Sequence, residues 1–129
     1  MGQLQQFQET SDTYRKHGWR LARVLMRPDT LAQLRPHRGD EASAEAHFED
    51  VSVQSAEVDA MWFARASHEG REAWELRLVG ETPYALFELF EADEADEDRE
   101  DVRREMEARL RGYAAPHRSD LDVNRPDPS

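Results

Sequence analysis

Four charged residues fall by strand alternation on one face of the most strongly patterned part of this chain: Arg65, Glu75, Arg77 and Glu88 stand there among aromatic and aliphatic residues between positions 61 and 91. Two carboxylates in one dry pocket can act as a general acid and base, because their mutual repulsion raises the pKa of one of them. With Arg65 and Arg77 nearby, ordinary ion pairing is the better reading. No nucleophile accompanies them. Cysteine is absent, no serine sits in a Gly-x-Ser-x-Gly elbow, and the adjacent Ser67 and His68 point to different sides of a turn. A glycine-rich phosphate loop is also missing, so no catalytic residue is assigned.

Metal chemistry finds equally little support. The five histidines, His17, His37, His47, His68 and His117, include no pair with a helical ligand spacing. His37, Asp40, Glu41 and His47 share one loop, which is the weakest kind of signal. Asp96, Asp98, Glu100 and Glu107 match positions 1, 3, 5 and 12 of a calcium-binding loop, but Asp101 stands where that loop needs glycine for its sharp turn. No metal and no cofactor is expected.

The elements that must position these side chains follow from periodicity. Strand side chains alternate between faces, so Trp62, Ala64 and Ala66 align with Trp74, Leu76 and Leu78, and then with Ala85, Phe87 and Leu89. The opposite, mixed face carries Met61, Phe63 and Arg65, then Glu75, Arg77 and Val79, then Tyr84, Leu86, Glu88 and Phe90. This assignment pairs Leu78 with Ala85 and Leu76 with Phe87 across the Gly80–Pro83 turn. A slip of one residue would put Glu88 among the tryptophans, where an unpaired carboxylate is costly. Gly70 supplies the positive-φ residue of the preceding hairpin.

Elsewhere, Leu4, Phe7, Ser11 and Tyr14 recur at helical spacing over 3–16, with Gly18 as the left-handed stop. Residues 28–35 form a short helix opened by Pro28. A long helix over 94–113 carries the stripe Ala95, Val102, Met106, Leu110 and Tyr113, with acids at its start and arginines at its end, which suits the helix dipole. The expected fold is α+β: a mainly antiparallel sheet of about five strands (19–26, 48–58, 60–67, 72–79, 84–91) flanked by these helices. It forms one domain over 1–115, followed by a disordered tail over 116–129.

A net charge of −11 opposes binding to nucleic-acid phosphates, and no apolar run is long enough to cross a bilayer. Without cysteine or a signal-type amino terminus, the expected setting is cytoplasmic. The absence of isoleucine, with a single lysine and a single asparagine, suits a GC-rich bacterial genome. The reading that follows is a small acidic, non-enzymatic protein-binding module, such as an adaptor, chaperone or immunity-type inhibitor. Its contact residues are Phe63, Arg65, Glu75, Arg77, Tyr84, Leu86, Glu88 and Phe90, and its partner is a protein, basic if charged, or a second copy in a homodimer. The alternative is a small-molecule binding domain whose curved sheet forms a pocket from the same side chains. Either requires the mixed face to be open rather than covered by the first helix or by loop 37–47.

Overall fold

In the computed structural model, residues 2–34, 47–80 and 84–123 are described, with side chains through residue 114. The loop expected over 37–47 therefore lies almost wholly outside the described residues. The chain divides into two compact units, Met1–Glu94 and Ala95–Ser129.

The first unit is α+β. It runs α1 (Gln3–Lys16), β1 (Arg20–Met26), α2 (Pro28–Leu34), β2 (His47–Phe48), β3 (Val51–Ser55), β4 (Ala60–Ala66), β5 (Glu72–Leu78) and β6 (Ala85–Phe90). These strands make one six-stranded sheet in the order β2-β3-β1-β4-β5-β6. Four of the pairings are antiparallel; β1 and β3 are parallel, a pairing that needs a crossover, and α2 lies in the connection between them. The single strand expected over 48–58 is instead two, β2 and β3. Glu49 and Asp50, with φ of 51° and 70°, form the two-residue turn between them, in the double positive-φ conformation that matches strand twist.

The helix α1 buries Phe7, Ser11 and Tyr14, the stripe expected of it, and ends where Gly18 takes φ +88°. Its apolar side completes a core with Val24, Met26, Phe48, Met61, Phe63 and Val79. Two polar clasps hold this helix to the sheet. The buried Asp59 accepts hydrogen bonds from Gln3 Nε2 (2.9 Å), the Arg27 backbone N–H (2.8 Å) and Thr30 Oγ1 (2.8 Å), joining α1, the start of α2 and the entry to β4. Glu49, at the β2–β3 turn, accepts from Gln8, from the buried Ser11 and from Arg15.

The meander is as expected in its first hairpin and different in its second. Between β4 and β5, Trp62 lies opposite Leu76 and Ala64 opposite Trp74, so the two indoles share a face, with ring centroids 5.7 Å apart. Between β5 and β6, Leu76 lies opposite Leu86, Arg77 opposite Ala85 and Glu75 opposite Phe87. This is the one-residue slip that the sequence reading rejected. Leu78 donates its N–H to the Tyr84 carbonyl at 2.9 Å, so the connection spans 79–83 and is one residue longer than assumed. Every side chain of β6 is thereby exchanged. Phe90 packs on Trp74 (6.4 Å) and is 1% exposed, whereas Phe87 is 57% and Leu89 37% exposed. The cost anticipated for Glu88 does not arise, because β6 is an edge strand and Glu88 is only half-buried there; its carboxylate can reach water along its methylenes.

The second unit is built on α3 (Asp96–Val123). Its acidic first turn is helical, which excludes the calcium-loop geometry. Ion pairs from i to i+3 join Glu100 with Arg103 and Asp101 with Arg104. The backbone stays helical past the expected end at Tyr113 and past Pro116. Gly112 does not adopt the positive φ that would stop the helix.

Candidate functional site

The eight residues singled out from sequence separate onto two faces. Phe63, Arg65, Glu75 and Arg77 lie on the face that α1 covers. Leu86, Glu88 and Phe90 stand opposite Leu76, Trp74 and Glu72 on the tryptophan face, and alternation from Leu86 puts Tyr84 there too. Phe63 and Phe90, each 1% exposed, belong to the core. In their place, Phe87 and Leu89 join the mixed face, with Phe87 beside Glu75 and Ala85 beside Arg77.

The C-terminal turn of α1 organises what remains open. Tyr14 stacks on Phe63, with centroids 4.0 Å apart and planes 8° from parallel, and meets Trp19 edge-on at 6.0 Å. Its hydroxyl donates to Glu75 Oε2 at 2.5 Å. Burial, reinforced by this bond to a carboxylate, pushes the Tyr14 pKa up to about 12, with Arg77 acting in the opposite direction. Tyr14 therefore remains a proton donor at ordinary pH and cannot serve as a base.

Both arginines donate to backbone carbonyls. Arg65 Nη1 donates to the His17 carbonyl at 2.8 Å, and its guanidinium lies 5.0 Å from the centroid of Trp19, a cation–π distance. It locks the end of α1 to β4. Arg77 Nε donates to the Leu78 carbonyl at 3.3 Å, and Arg77 forms no ion pair among the described residues. Beside it opens a cleft of about 250 Å³ lined by Thr13, Tyr14, His17, Trp19, Glu75 and Arg77. His17 Nδ1 donates to the Thr13 carbonyl at 2.9 Å on its rim. Chemically this arrangement can bind and orient polar groups, since a guanidinium, a carboxylate and an indole converge there.

Sequence reasoning missed Thr13, Tyr14, His17 and Trp19. Tyr14 was visible as part of a helical stripe, but nothing local shows which strand that stripe covers. Among the described residues no three His, Asp or Glu side chains are grouped to hold a metal, and no helix is long and apolar enough to cross a membrane; His37, Asp40 and Glu41 lie outside the described residues. Compared with protein-family models, with curated proteins and with solved structures, the chain matches none of them.

Proposed function

We propose that this chain is a small, non-enzymatic protein-binding module whose contact surface is the part of the mixed face that α1 leaves open: Phe87 and Leu89 on β6 with Glu75 and Arg77 on β5. The observation that carries the reading is the exposure of Phe87, 57%, directly opposite Glu75 and next to Arg77, which forms no ion pair among the described residues. An exposed aromatic beside arginine donors is the composition of interface hot spots, whereas isolated solvent-facing strands seldom carry it. With a net charge of −11, a charged partner would be basic. The cytoplasm is the proposed setting, since a chain without cysteine gains nothing from an oxidising one. The cleft beside Tyr14 gives weaker support to small-ligand binding, because it is smaller than the roughly 300–1,000 Å³ of most ligand pockets.

The test is affinity capture with the wild type, Phe87→Ala, Arg77→Ala and the α3 control Arg104→Ala, followed by titration of the captured protein. A partner held by wild type and Arg104→Ala, and weakened about tenfold or more by Phe87→Ala and Arg77→Ala at unchanged melting temperature, supports the reading. Equal affinity for all four proteins contradicts it.

A further inference from the structure

The backbone of β6 presents a second feature that its side chains alone do not reveal. The Leu78 N–H to Tyr84 carbonyl bond makes residues 78 and 84 a hydrogen-bonded pair, so in the alternating antiparallel ladder 76–86, 74–88 and 72–90 are also bonded pairs. The N–H and C=O groups of Ala85, Phe87 and Leu89 consequently point away from β5, along the outer edge of the sheet. These are the same three residues whose side chains are exposed. The opposite edge is the two-residue β2, which is too short to template pairing. Unlike that edge, β6 is six residues long, Ala-Leu-Phe-Glu-Leu-Phe, and it carries no proline, lysine or bulge, three of the devices that protect an edge strand.

We infer that β6 pairs antiparallel with β6 of a second copy of this chain, about a two-fold axis through Phe87. This rests on β6 being the exposed contact strand, as in the reading above, but assigns it a different occupant. With Phe87 opposite its own counterpart, Ala85 faces Leu89 of the other copy and Leu89 faces Ala85, so every outward backbone group between 85 and 89 finds a partner. That register is self-complementary in charge as well. Glu88, the only ionised side chain of the strand, lies opposite Leu86, and the two Glu88 carboxylates are kept apart. The aromatic residues pair in the same register, Phe87 with Phe87 and Tyr84 with Phe90. Because the interface is isologous, each contact is made twice.

Sedimentation of the full chain over a concentration series, at low and high salt, tests the inference. The expected result is a monomer–dimer equilibrium that shifts toward dimer as salt rises, since screening removes repulsion between two strongly acidic chains while the strand pairing is uncharged. Leu89→Pro removes an outward N–H without touching the bonds to β5, a position where an edge strand tolerates proline. By symmetry it deletes two intermolecular bonds and should weaken association about tenfold or more. As a second probe, Phe87→Cys should oxidise to a crosslinked dimer, because Phe87 sits on the axis, whereas Ala85→Cys should not. A wild-type chain that stays monomeric throughout overturns the inference, as does a dimer that Leu89→Pro leaves intact or that Ala85→Cys crosslinks better than Phe87→Cys. A monomer that still captures a foreign protein through Phe87 would defeat the inference alone, and a dimer with no captured partner would leave the earlier reading without support.

Discussion

Tyr14 connects helix to sheet twice over, through a stacked ring on Phe63 and a hydroxyl on Glu75. Tyr14→Phe keeps the ring and deletes the bond, leaving a half-buried carboxylate without its donor. The expected loss, measured by urea denaturation at neutral pH, is about 1.5–3 kcal/mol, the range for hydrogen bonds to charged groups. The same pair sets an alkaline signature. Since the folded pKa is about 12 against an ordinary 10.0, the folded state holds this proton more tightly than the unfolded chain. The stabilisation is complete below pH 10.0 and is lost as pH rises toward about 12. Stability measured across the alkaline range should fall less steeply in Tyr14→Phe than in the wild type; identical slopes would contradict the assignment.

Between elements, Asp59 does what no apolar contact can, fixing the start of α1, the start of α2 and the entry to β4 through three donors. Asp59→Ala strands a buried threonine hydroxyl and a backbone N–H, and should cost about 2–4 kcal/mol with a matching drop in melting temperature. Much at this scale was legible in the residues. Gly18 and Gly70 both take positive φ, the stripe of α1 faces the core, and the register of β4 against β5 follows from the two tryptophans. The remainder was hidden for physical reasons. The Glu49–Asp50 turn carries neither glycine nor asparagine, so its break in the strand had no local signal; hydrogen bonds from Gln8, Ser11 and Arg15 to Glu49 fasten it instead. The parity of β6 depended on whether its turn held four residues or five, and the argument from Glu88 assumed a buried strand where there is an edge. Whether α1 covers the mixed face is a long-range fact that spacing cannot encode.

For the molecule as a whole, the consequence is an exchange of surfaces. A recognition face drawn through Phe63 and Phe90 would be interior, while the exposed strip runs from the Tyr14 cleft across Glu75 and Arg77 to Phe87 and Leu89, the surface proposed above for contact. On the proposed reading, a net charge of −11 repels anionic partners, and the exposed apolar strip and the guanidinium of Arg77 supply local attraction. All of this depends on the register of β6. The chain has no cysteine, so a pair of introduced thiols reports on that register cleanly. Arg77→Cys with Ala85→Cys occupies a non-hydrogen-bonded cross-strand pair on one face, close enough for a disulfide, whereas Leu78→Cys with Ala85→Cys places the thiols on opposite faces. Rapid intramolecular oxidation of the first variant and not the second, read by mass under denaturing conditions, is the predicted result. Oxidation of the second in preference to the first would return Phe87 and Leu89 to the tryptophan side and contradict the account.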